Sequence, residues 1–141
     1  MNDIKLLHIN EIPFQLNLDV PKLTEDIKKR IQVAFLFVLQ YQKGNETSAI
    51  HSLVKFILDG QTILEGGVTL IFQSNEWNGM SHVEEDVKKS SFAMDLISFA
   101  YPFMSGFQFS QVRDTKLADM FLPIIKSEDL VENLHVEEVQ K

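Results

Sequence analysis

The stretch "ILEGGVTLIFQS", residues 63–74, constrains this chain more than any other. It reads as a strand, yet its apolar residues occupy both parities, with Leu64, Val68, Leu70 and Phe72 on one and Ile63 and Ile71 on the other. A half-solvated strand alternates strictly, so a strand that is apolar on both faces needs cover on both. The same holds for "RIQVAFLFVLQY", where Ile31, Val33, Phe35, Phe37, Leu39 and Tyr41 share one parity and Ala34, Leu36 and Val38 the other. Between these lies "SAIHSLVKFILDG", flanked by "KGN" and "DG". Turns this short join antiparallel neighbours, and Asp-Gly is a strong hairpin signal.

Upstream, "IKLLHINEIPFQLNL" gives an edge strand with a bulge or bend, because Pro13 has no amide to donate to a ladder. "VPKLTEDIKKR" reads as a connection with a helical turn. From Ser81 the period changes to that of a helix. "SHVE" has capping-box spacing, with Ser81 accepting from the first turn and Glu84 reaching back. Two apolar rows follow, one through Val83, Val87, Met94, Ile97, Tyr101 and Met104, the other through Phe92, Leu96, Phe99, Phe103 and Phe107. Pro102 predicts a break near the middle of this helix, and Gly106 weakens the next turn. "RDTKLADMFLPII" is an extended connection, and "SEDLVENLHVEEVQ" starts a short final helix with Ser127 as N-cap and Glu128 and Asp129 in its first turn.

The expected fold is therefore α+β: a four-stranded antiparallel sheet followed by a long, proline-interrupted helix and a short C-terminal helix, all in one domain of residues 1–141. The long helix covers one sheet face. A second subunit is the simplest cover for the other, stacked at roughly 10 Å. Gly66 and Gly67 then mark a bulge or a close approach of two backbones, and the oligomer interface is expected around Leu64, Gly66 and Val68.

Charge and motifs narrow the function classes. With 13 Lys/Arg against 20 Asp/Glu, the net charge of −7 opposes a phosphate backbone, which excludes nucleic acid as a primary partner. The chain has no cysteine and its first residues lack the basic and apolar regions of a signal peptide, so a cytoplasmic protein is expected. The uncharged run Leu96–Val112 is 17 residues long and carries Pro102, Gly106 and several polar residues, which argues against membrane insertion. His8, His51, His82 and His135 show no metal-binding spacing. "DGQTILEGG" lacks the Lys-Ser/Thr and following helix of a phosphate loop, and no nucleophile elbow or acid–base pair stands out. No metal, cofactor or enzymatic activity is expected. What remains is apolar surface: Phe92, Phe99, Tyr101, Phe103, Phe107 and Phe109, then Leu117, Met120, Phe121 and Leu122 in a connection, where exposed apolar groups mark binding.

Four stretches in order resemble the SecB family of export chaperones: "INEIPFQL" its first strand, "ILEGGVTLIF" its fourth, "ISFAYPF" the apolar-aromatic pair before the helix proline, and "LPIIKSEDL" the Leu-x-Pro loop entering the last helix. The resemblance runs from Ile4 to about Leu134. It implies a tetramer built as a dimer of dimers. It also implies ATP-independent holding of unfolded, non-native polypeptides in apolar grooves, here using Phe103, Phe107, Leu117, Phe121, Leu122, Leu130 and Leu134. In the family an acidic patch docks the SecA motor, and its positions fall on Glu11, Gln15, Ile63 and Glu65. Gln15 stands where the family usually has a carboxylate, and Phe103, Met104, Ser105 and Gly106 replace its charged residues after the helix proline. Some SecB-like proteins instead guard the antitoxin of a toxin–antitoxin pair. A dedicated single-partner protein and a small apolar-ligand-binding module stay open as alternatives.

Overall fold

The structure is a computed structural model that describes residues 3–17, 19–120, 122, 123 and 125–140. Its sheet is built from β1 (Lys5–Leu16), β2 (Ile31–Tyr41), β3 (Thr47–Leu58), β4 (Gln61–Gln73) and β5 (Leu134–Glu138). Their order is β1-β4-β3-β2-β5. The first four pair antiparallel, as the turn chemistry predicts. Asp59 and Gly60 both have positive φ, 51° and 82°, the conformation of a two-residue hairpin turn, and Gly44 at 81° closes the turn between β2 and β3. The fifth strand corrects the sequence reading. "SEDLVENLHVEEVQ" forms one turn of helix, α5 (Ser127–Leu130), a 3₁₀ turn over Val131–Asn133, and then β5, which pairs parallel to β2.

Helices cover the inner sheet face. α1 (Glu25–Arg30) follows its N-cap Thr24, and α2 (Asn75–Asn78) its N-cap Ser74. The expected single helix from Ser81 is divided into α3 (Glu84–Lys88) and α4 (Ser91–Val112). The reason is local hydrogen bonding. Ser81 Oγ donates to Asp86 Oδ2 at 2.8 Å, and the Glu84 carboxylate, which the capping box needs, accepts from the Val136 N–H at 2.9 Å. Ser90 starts α4 instead, accepting from the Ala93 N–H at 3.1 Å. α4 runs on through Pro102 rather than breaking there. The carbonyl deprived of its donor belongs to Ser98, an exposed residue, so the lost hydrogen bond falls on the solvent side of the helix.

The core lies between α4 and the inner face. Phe92, Leu96, Ile97, Ala100, Met104 and Val112 of α4 meet Phe37 and Leu39 of β2, Ile50, Val54 and Phe56 of β3, and Leu64, Val68, Leu70 and Phe72 of β4. Trp77 of α2 is fully buried, stacked between His82 and Phe92, with its indole N–H donating to Ser48 Oγ at 3.0 Å. The connection after α4 is tied down by polar groups: the Gln108 amide donates to the Met120 carbonyl and Lys116 to the Val20 carbonyl.

Close approach at the two glycines is intramolecular. A Cβ at Gly67 would lie 1.9 Å from the Ser52 carbonyl oxygen of β3, and one at Gly66 2.7 Å from Phe14 Cγ. Phe14 sits in the irregularity of β1 between Ile12 and Gln15, next to Pro13, where the sequence placed a bulge. Gly106 differs, because a Cβ there meets nothing within 4 Å. Gly67→Ala is therefore expected to cost at least about 2 kcal/mol of stability, since backbone must shift to admit the methyl group. Gly106→Ala should raise stability by about 1 kcal/mol. Urea unfolding midpoints of the two variants check both signs.

Candidate functional site

α4 has one formally charged residue, Asp95, in its 22 residues. Its inner face is core, yet its exposed positions include three aromatics: Phe99, Phe103 and Phe109 are 39%, 38% and 50% exposed. Phe99 and Phe103, one turn apart, hold their ring centroids 5.6 Å apart. Beside them, Ile9, Glu11 and Val68 of the sheet and Pro102, Phe103, Gly106, Phe107 and Ser110 of α4 line a hollow of about 520 Å³. Its floor is stiffened by Phe107 against Phe14, centroids 5.6 Å apart. On the other flank of α4, Tyr101, Pro102, Ser105 and Gly106 face Leu122, Pro123 and Ile125 across a second hollow of about 450 Å³. The Tyr101 hydroxyl donates to the Pro123 carbonyl at 2.8 Å, and burial pushes its pKa up to about 12. Pro102 and Gly106 border both hollows. Gly106 places no side chain between them, and the two hollows with this stretch of helix make up the trough.

The sequence-predicted residues divide. Phe103 and Phe107 line the first hollow and Leu122 the second. Leu117, Leu130 and Leu134 are buried in the protomer's own core and present no surface. Phe121 lies outside the described residues. Phe99 and Phe109, singled out only as members of an apolar cluster, are surface groups of the trough's helix.

The docking set is not brought together. Glu11 pairs with Val68 and faces the α4 side, where it borders the trough. Gln15 pairs with Glu65, and both face the open side of the sheet. Ile63 is buried. Glu65 lies 3.8 Å from the Lys55 ammonium. The residues expected at an oligomer interface are likewise turned inward: Leu64 and Val68 are core, and Gly66 lies under Phe14. The parity of β4 gives the open face Glu65, Gly67, Thr69 and Ile71 instead.

That open face carries a shallow hollow of about 580 Å³ lined by Ile12, Ala34, Leu36, Leu53, Lys55, Ile57 and Glu65 among others. Outside that hollow, on the same face, His51 spans three strands, with Nδ1 2.6 Å from Thr69 Oγ1 and Nε2 2.6 Å from Gln40 Oε1. Gln40 Oε1 only accepts, so in neutral His51 Nε2 carries the proton and Nδ1 accepts from Thr69. Burial lowers the His51 pKa below its usual 6.5. No group of three or more metal-ligating side chains occurs among the described residues, and no helix there is long and apolar enough to cross a membrane.

With this geometry in hand, comparisons with known proteins separate fold from sequence. No family model and no curated protein matches the sequence. Among solved structures, the chain is similar to the Mycobacterium tuberculosis Rv1957 SecB-like chaperone in complex with a ChAD peptide from the Rv1956 HigA1 antitoxin. The TM-score is 0.58, covering 86% of each chain, at 13% sequence identity. The chain thus has the fold of a SecB-like chaperone.

His51 gives a pH test. With its folded pKa below the unfolded value, the unfolded state binds the proton more readily, so stability is full above pH 6.5 and falls as pH drops through the depressed folded pKa. His51→Gln should flatten the stability profile between about pH 7 and 5. Denaturant midpoints measured at intervals across that window check it.

Proposed function

We propose that the chain is an ATP-independent, non-enzymatic holdase that keeps non-native polypeptides in the trough crossing α4. One observation carries this reading: aromatic side chains stand in solvent along a helix whose other face already forms the core. Exposed apolar surface of this kind marks an interaction site. Binding that rests on burial, at roughly 25 cal/mol per Å², requires no sequence code in the client. Phe99, Phe103, Phe107 and Phe109 supply the contact, Gly106 the passage and Leu122 the far wall. Leu117, Leu130 and Leu134 belong to the core and make no direct contact with a client. The resemblance in residue order and the SecB-like fold support the same reading.

The working unit is proposed to be a cytoplasmic homo-oligomer, a dimer of dimers. Its edge strand β1 exposes Leu7 and Ile9 at 43% and 37%, and an unpaired edge invites a second copy. A role in export is weaker on physical grounds. Glu11 and Glu65 lie on opposite sides of the sheet and Lys55 offsets the second, so the four positions do not make one acidic patch for SecA. A second reading, a chaperone dedicated to one partner, is favoured by the fact that the similar Rv1957 structure holds an antitoxin peptide.

Light scattering of a chemically unfolded protein diluted with and without the chain, free of nucleotide, tests the proposal. Stoichiometric chain should suppress aggregation. The double variant Phe99→Ser/Phe103→Ser and, separately, Gly106→Glu should each require roughly tenfold more chain for the same effect, a loss of about 1.4 kcal/mol. No suppression by folded wild-type chain would remove the general holdase and leave the single-partner reading.

A further inference from the structure

β5 is unlike the rest of its sheet. It is the parallel member of an otherwise antiparallel set, joined to β2 over the pairs Phe37↔Leu134 to Tyr41↔Glu138, and Val139 N–H continues the ladder to the Tyr41 carbonyl at 2.7 Å. Parallel pairing is slightly the weaker per residue. Of the β5 side chains, Leu134 is fully buried and Val136 half-buried, while His135 and Glu137 are exposed. Its polar anchors on the β2 side are loose, Lys43 to Glu138 at 3.7 Å and Gln40 Nε2 to Glu137 Oε1 at 3.5 Å. Such surface ion pairs add little.

The outer edge of β5 is closed to a further strand. Val136 N–H points away from β2 and is taken by Glu84 Oε1 at 2.9 Å. His135 Nδ1 lies 3.6 Å from that oxygen, and the Lys88 ammonium 3.9 Å from the other. An extended segment that is to pair at this end of the sheet must therefore take the place of β5. What it would find is a strand edge with free backbone groups over Phe37–Tyr41, beside the buried Phe37 and Leu39.

We propose that the β2 edge is a strand-addition site for extended polypeptide, occupied in the free protein by the chain's own β5. The segment it fits runs parallel to β2 and carries aliphatic side chains two residues apart, in the manner of Leu134 and Val136, followed by a carboxylate that meets Lys43. Main-chain hydrogen bonds give such a mode its affinity, and alternate side chains its selectivity. The proposal rests on the reading of the chain as a polypeptide binder, and it adds a site that shares no residue with the trough at Gly106. Because β5 holds the site closed, the apparent affinity for a competing segment is reduced by the fraction of chains in which it is open.

The test uses a fluorescein-labelled peptide of residues 127–140 and reads anisotropy with four forms of the full chain. These are wild type, His135→Pro, Leu134→Ser and Phe103→Ser. The proline removes an N–H that faces β2, and the serine removes the buried anchor. Both should bind the peptide roughly tenfold or more tighter than wild type, because both raise the open fraction. Phe103→Ser should bind as wild type does, and a peptide bearing the same proline should bind none of them. Hydrogen exchange showing β3 and β4 still protected certifies each variant as folded, and Leu134→Ser stands if the proline variant does not fold. Equal affinity for wild type and the β5 variants overturns the proposal. Binding that Phe103→Ser abolishes also overturns it, by placing the peptide in the trough, while leaving the holdase reading in force.

Discussion

A 22-residue helix with one formal charge has more apolar surface than one sheet face can cover. The proposed trough follows from that excess. An amphipathic helix would bury one stripe and solvate the other. Here α4 buries Phe92, Leu96, Ile97, Ala100 and Met104 against β2, β3 and β4 and still shows Phe99, Phe103 and Phe109 to solvent. The sheet repeats the pattern on a smaller scale. Its inner face is core, while its open face carries Leu36, Leu53 and Ile57 around a hollow. Such surfaces are stable in solution when they meet something, either another copy or a client.

Backbone approach fixes where that surface lies. Gly67 lets the Ser52 carbonyl oxygen come within 1.9 Å of where a Cβ would stand, and Gly66 admits the Phe14 ring. Phe14 in turn supports Phe107. A chain of contact thus runs from a glycine in β4 to the aromatic floor of the trough. At the other end of the molecule Glu84 links α3 to β5 by accepting the Val136 N–H, so the same carboxylate that would have capped a longer helix seals a strand edge. Helix division and sheet extension are one event.

Much of this was legible in residue order. The apolar runs of β2, β3 and β4, Asp-Gly at 59–60 and Pro13 in β1 act within a few residues, so strands, hairpin and bulge could be read directly. β5 could not. "LHVEE" is short and rich in helix-compatible residues, and its partner β2 lies far away in the sequence. The long helix was over-extended because Ser81 and Glu84 have capping-box spacing, while Glu84's tertiary partner is invisible locally. The site was partly legible. Helical periodicity put Phe103 and Phe107 on one apolar row, but it does not say which apolar residues of the segments after α4 turn inward, and Leu117, Leu130 and Leu134 went to the core. For the docking set the bulge decided the outcome. Glu11 and Gln15 are four residues apart and would share a face in a regular strand. Their partners, Val68 and Glu65, are three apart and do not.

Whether the trough at Gly106 receives non-native chain is read by a photo-crosslinking residue placed at that position, where a Cβ meets nothing within 4 Å. Illumination in the presence of a chemically unfolded protein should yield an adduct with that protein and none with its folded form. An adduct with a second copy of this chain alone, unchanged by unfolded protein, would assign the trough to assembly and remove it as a client site.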